Sequence, residues 1–168
     1  IQELKPDGGN RVGVFTPRRE SESPSLPLSP VLVVDDDPQV AKLLSKMMGT
    51  ETVDMTCVQS VDEAERLLES GQRFHVMLTD ISMPGRDGFA MLRLAEKVDP
   101  DMVNLVTSGD ISKRTEQLLI DAGSKGILRK PFKLQDVRNQ FSSALQDYAK
   151  SKRKRQMDDS RGDSAIEG

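Results

Sequence analysis

Val76-Met77-Leu78-Thr79-Asp80-Ile81-Ser82-Met83-Pro84-Gly85-Arg86-Asp87-Gly88 decides how this chain is read. An apolar run ends on one carboxylate, Asp80, and then breaks into a loop rich in turn-forming residues. A strand buried on both faces, running from Phe74 to Thr79, would deliver Asp80 at its carboxyl end.

Outward from this stretch, two periods alternate. Val31 to Val34 is a second continuous apolar run, and it stops at Asp35, Asp36 and Asp37. Asp37-Pro38 then reads as an N-cap followed by proline in the first helical turn, with Val40, Leu43, Leu44 and Met47 as the apolar stripe of a first helix. Val53, Met55 and Cys57 alternate with polar residues, as in an edge strand. Ser60 to Glu63 matches a capping box ahead of a stripe at Val61, Ala64, Leu67 and Leu68. Asp87 and Gly88 read as the cap and turn of a third helix, striped by Met91, Leu94, Ala95 and Val98. Val103 to Val106 and Gly126 to Arg129 supply two more strands. Between them, Ser112 caps a helix carrying Leu118, Leu119 and Ala122, and Val137, Phe141, Ala144, Leu145 and Tyr148 stripe the last helix. Five βα units in residues 31 to 149 predict an α/β domain with a doubly wound, mostly parallel sheet.

The flanks differ in kind. Residues 1 to 30 hold five of the nine prolines and are expected to form a disordered leader or linker. Residues 150 to 168 begin with Lys150, Lys152, Arg153, Lys154 and Arg155 and are expected to form a basic, then polar, disordered tail. A chain of 168 residues with 36% hydrophobic and 30% charged content allows one compact domain. A net charge of −3 excludes capture of nucleic acid or membrane by bulk electrostatics. The single cysteine, Cys57, excludes a disulfide framework and reads as a small core residue. No apolar run approaches the ~20 residues of a membrane span. A cytoplasmic location is the expectation. His75, at a strand start, reads as structural.

In doubly wound sheets, sites gather beyond the carboxyl ends of the strands. Those ends carry Asp35 and Asp36, then Asp80, then Thr107 and Ser108, then Lys130. Clustered carboxylates repel unless a cation lies among them, and oxygen ligands suit a hard divalent ion, with Mg²⁺ the best fit. A carboxylate can accept a phosphoryl group if a metal, a lysine and a hydroxyl donor offset the charge on its oxygens. The rim contains the residues for all three.

Residues 31 to about 148 resemble a response-regulator receiver domain, the phosphoacceptor module of two-component signalling. The resemblance rests on Val31 to Pro38, on Asp80 with Met83 to Gly88, on Ser108-Gly109, and on Lys130-Pro131-Phe132. The spacings 80 − 36 = 44 and 130 − 80 = 50 are of the family's size. It implies a flavodoxin-like sheet of five strands in the order 2-1-3-4-5 with five helices. Asp80 would be the phosphoacceptor, and Asp36, Asp80 and the backbone carbonyl of Ser82 would ligate Mg²⁺, with Asp35 acting mainly through water. Lys130 would pair with the phosphoryl oxygens, and its bond to Pro131 is expected to be cis. The activation hydroxyl would be Ser108, with Thr107 the second choice, because 130 − 108 = 22 fits the family's spacing. Ser82 and Asp110 would tune the lifetime of the phosphoryl group. Ile127 stands where many receivers carry a switch aromatic, so output would rely on the 108 to 113 loop and the fourth helix.

The implied donor is a histidine kinase or phosphotransfer protein, and the output partner is not named by the sequence. A homodimer through helix 4, strand 5 and helix 5 is a further implication. Beyond a slow autophosphatase activity, no enzyme is expected. A stand-alone regulator and the receiver piece of a hybrid sensor kinase both fit, and the non-methionine start leans toward a fragment. Two alternatives compete: a haloacid-dehalogenase-type phosphatase with Asp35 as nucleophile, and a pseudo-receiver scaffold without phosphotransfer. The first leaves the Asp80 loop unexplained, and Gln39 stands where that motif has Thr or Val. The full set of acids and lysine argues against the second.

Overall fold

A computed structural model of the chain describes residues 28–49 and 52–162. Five strands, β1 (Ser29–Val34), β2 (Val53–Val58), β3 (Val76–Asp80), β4 (Val103–Ser108) and β5 (Ser124–Arg129), form one parallel sheet in the order β2-β1-β3-β4-β5. Five helices alternate with them: α1 (Pro38–Met48), α2 (Val61–Glu69), α3 (Gly88–Val98), α4 (Lys113–Asp121) and α5 (Leu134–Gly162). This is the flavodoxin-like arrangement expected from the sequence.

Strand character follows position. β3 and β4 are buried along their whole length because helices cover both faces, and each opens with mainly apolar residues and turns polar toward its carboxyl end, at Thr79-Asp80 and Thr107-Ser108. Alternate residues feed two cores. Leu32, Val34, Met77 and Val106 pack with α2, α3 and Leu119 of α4, while Val31, Val33, Leu78, Leu105 and Leu128 pack with α1 and α5. β2 is one of the two edge strands, and Cys57 on it is exposed. The expectation of a core cysteine is therefore wrong, because an edge strand keeps only part of its width under the helices.

The caps are those the sequence announces. Asp37 accepts from the Gln39 N–H, Ser60 from Glu63, Asp87 from Ala90 and Ser112 from Thr115. One detail differs: Glu63 reaches back to the N–H of Gln59, the residue before the cap. Two stripe residues also depart from expectation, since Leu43 and Leu118 are 42% and 50% exposed while their neighbours Leu44 and Leu119 are fully buried.

Both domain boundaries move. β1 begins at Ser29, so the end of the supposed leader belongs to the sheet; residues 1–27 lie outside the described part. At the other end, residues 150–162 are not a disordered tail but the continuation of α5, and residues 163–168 lie outside the described part. Between Tyr148 and Arg161 no Gly or Pro interrupts a run of good helix formers, so polarity alone did not imply disorder. The extension is tied to the α3–β4 loop, where Asp101 pairs with Lys152 at 3.5 Å and Arg155 at 2.8 Å.

Beside that tie, His75 stacks on Tyr148 with ring centroids 4.1 Å apart, and Lys152 Nζ lies 5.5 Å from the Tyr148 centroid. Burial, with Lys152 adding to it, holds the imidazole below its ordinary pKa of 6.5. The unfolded chain therefore binds a proton that the folded chain resists, and stability is lost as pH falls through 6.5. Thermal midpoints of the parent and His75→Phe should converge at pH 7.5 and separate at about pH 5.5, with the phenylalanine variant the less acid-sensitive. Parallel pH slopes in the two proteins would remove His75 from the explanation.

Candidate functional site

β1 and β3 run side by side and end in carboxylates, so Asp35 and Asp80 emerge together at the carboxyl edge of the sheet. The three consecutive aspartates have divided roles. Asp35 is 5% exposed and accepts the Asp37 N–H at 2.9 Å, Asp36 is exposed, and Asp37 caps α1. Asp35, Asp36 and Asp80 each offer an oxygen within 4.8 Å of the other two.

Lys130, just beyond β5, reaches into this group. Its Nζ lies 3.1 Å from Asp35 Oδ2 and 3.4 Å from Asp80 Oδ2, and its backbone N–H donates to the Ser108 carbonyl at 2.7 Å. The Lys130-Pro131 bond is cis, as expected. Burial pushes the Asp35 carboxyl above the usual aspartate value and nearby Asp80 adds to this, while the Asp37 N–H and the ammonium oppose it. Burial also works against charge on Lys130, but its contacts with Asp35 and Asp80 outweigh it and hold the ammonium pKa above its ordinary value. Among these four groups, three carboxylates face one ammonium, which leaves the cluster short of positive charge.

The loop after β3 is held close by its backbone. Ser82 is exposed and its N–H donates to Asp80 Oδ1 at 3.3 Å, while the Gly88 N–H donates to the Ile81 carbonyl at 3.1 Å. A Cβ on Gly88 would lie 2.6 Å from the Asp80 carbonyl oxygen and 2.8 Å from Ile81 Cα. The sequence suggested only a turn at Gly88; a close approach of two backbones leaves no signature of its own. Gly88→Ala should therefore cost ~1–3 kcal/mol of stability as α3 is pushed from β3. Gly109→Ala is the control, since nothing lies within 4 Å of its Cβ position. Equal midpoints for the two variants in thermal unfolding would contradict the clash.

Arg86 was not singled out by the sequence. It pairs with Asp62 at 3.0 Å and Glu65 at 2.5 Å, fastening the loop to α2. An isolated arginine in a loop does not reveal which helix it meets.

The two candidate hydroxyls at the end of β4 are both buried but face opposite sides. Thr107 pairs with Asp80 on β3 and Leu128 on β5, whereas Ser108 pairs with Arg129, two residues along from Ile127. Paired residues in a ladder share a face, so Thr107 lies on the side of Asp80 and Ser108 on the side of Ile127. Ile127 is half-buried against the core under α2, α3 and α4, and Asp110 is exposed.

These features define a doubly wound α/β protein with an acidic, lysine-bridged site at the ends of its strands. Residues 31–142 match the response regulator receiver domain, and the chain belongs to that family, the receiver class of two-component signalling. Among relatives, it is 32% identical to Protein PetR of Rhodobacter capsulatus over 68% of this chain and 48% of PetR. It is 30% identical to hybrid signal transduction histidine kinase L of Dictyostelium discoideum, over 79% of this chain and 9% of that protein. The chain thus spans less than half the length of these two relatives. A solved CheY-like receiver domain protein from Methanospirillum hungatei superposes with a TM-score of 0.68 at 23% identity, covering 74% of this chain and 99% of that one. No helix among the described residues is long and apolar enough to cross a membrane.

Proposed function

We propose that this chain accepts a phosphoryl group on Asp80, in a Mg²⁺-dependent reaction, from the phosphohistidine of a histidine kinase or phosphotransfer protein. One observation carries the reading: a single ammonium, Lys130, lies between two buried carboxylates at 3.1 and 3.4 Å, with a third, exposed carboxylate beside them. The donor set is all oxygen and short of positive charge, which fits a hard divalent cation. Asp36, Asp80 and the Ser82 carbonyl would hold it directly, with Asp35 acting through water. When bound it would neutralise charge developing on the phosphoryl oxygens.

In the transfer, an Asp80 oxygen forms a bond to phosphorus as the donor's N–P bond breaks, and the electron pair leaves with the donor imidazole. Lys130 then moves its contact from the carboxylate to a phosphoryl oxygen. Ser108 closes the other side of the site with its hydroxyl, and its face of the sheet leads to Ile127 and α4. Exposed Ser82 and Asp110 tune the approach of water and hence slow self-hydrolysis. Leu118 and Ile120 on α4 and Leu134 on α5 are 50%, 48% and 45% exposed, which supports an output partner or second copy on the α4–β5–α5 face. We place the chain in the cytoplasm, where the donor kinase acts.

A phosphatase built on Asp35 has less support, because Asp37, its second acid, is occupied in capping α1. Incubation with acetyl phosphate and Mg²⁺, followed by mass mapping, should place a base- and hydroxylamine-labile phosphoryl group on Asp80. A label on Asp35, or none with Mg²⁺ present, would overturn the reading.

A further inference from the structure

The strand order sets Lys130 a problem of reach. It follows β5, while its partners end β3 and β1, two and three places along the sheet, so the lysine and the carboxylates meet by reaching toward one another over the end of β4. The β4 residue on the same face at that crossing is Thr107, the ladder partner of Asp80 and Leu128. Thr107 is 1% exposed and its hydroxyl has no hydrogen-bond partner. Among the described residues, the other such buried side-chain atom is Asn104 Oδ1, at the far end of the same strand.

An unpartnered buried hydroxyl is costly, and valine would fill the same volume without it. The site also holds the complementary group. An ammonium has three N–H donors, and Lys130 places two of them, on Asp35 and Asp80. We infer, on the phosphoacceptor reading above, that Thr107 is a positioning residue that acts through Lys130. As the ammonium leaves the Asp80 carboxylate for the phosphoryl oxygens, the Thr107 hydroxyl accepts its third N–H and holds the charge over the site.

Stability and rate separate this role from packing. Thr107→Val should raise the thermal midpoint, because a buried orphan hydroxyl is removed, yet slow phosphorylation of Asp80 by acetyl phosphate on the order of tenfold. Its Mg²⁺ titration, followed by the shift in thermal midpoint, should match the parent's. Thr107→Ser keeps the hydroxyl and loses a methyl, so it should unfold earlier and label within about twofold of the parent. A valine variant that labels at the parent rate overturns the assignment, as does one that loses stability and rate together while serine does the same. If the parent chain itself takes no label on Asp80, the phosphoacceptor reading falls, and this inference with it. A labelled parent beside an unaffected valine variant removes the inference alone.

Discussion

Asp80→Asn is expected to take no phosphoryl group from acetyl phosphate and, at the same time, to unfold at a higher temperature than the parent in the absence of Mg²⁺. The first effect follows from chemistry, since an amide is not a nucleophile toward phosphorus. The second follows from the charge count. Asp80 is 8% exposed and faces two carboxylates within 4.8 Å and one ammonium at 3.4 Å, so its charge meets more repulsion than attraction. The neutral isostere keeps an oxygen for the Ser82 N–H and relieves that imbalance, a gain on the order of 1 kcal/mol. Added Mg²⁺ should stabilise the parent more than the variant and shrink the difference. Residual label on the asparagine protein, or a lower midpoint without Mg²⁺, would contradict this account of the site.

Lys130→Ala should act in the opposite direction on stability and in the same direction on function. It removes the one cation from a group of acids, two of them buried. Breaking a buried pair commonly costs 3–5 kcal/mol, but a lysine side chain 30% exposed is partly screened, so a loss of roughly 1–3 kcal/mol is expected. Loss of a charge-stabilising donor should slow labelling by about 10²–10³. The double variant Asp80→Asn, Lys130→Ala should recover part of the lost stability, because the acids left behind repel less. Additive thermal shifts in that cycle would mean that the two side chains do not interact as their separation suggests.

How much of this was open to sequence reasoning depends on the range of the interactions involved. The strands, the capped helices and the acids at the strand ends are local signals: apolar runs, cap residues and the residues that follow them. Asp35, Asp36, Asp80 and Lys130 could therefore be named in advance, and the structure brings them together. The exposed Cys57 and Leu118 were misread because hydrophobicity does not say how far a helix covers its strand. The length of α5 was missed because a helix can persist while polar on every side, given good helix formers and one acidic anchor such as Asp101. Gly88 and Arg86 depend on contacts with residues distant along the chain, Asp62 and Glu65 among them. The division of labour between Thr107 and Ser108 needed the register of β4 against its neighbours, because adjacent residues point to opposite faces and a slip of one exchanges them.

α5 runs on for seven residues past Arg155, its last ion-paired anchor, which gives an arm of about 10 Å. Its root is pinned at the amino-terminal end of the sheet by the Tyr148 stack and the Asp101 pairs, away from the acidic site at the carboxyl ends of the strands. With its root fixed there, a tilt of about 5° would displace the tip by about 1 Å. A small tilt at that root would thus be carried outside the core, to where the helix meets solvent.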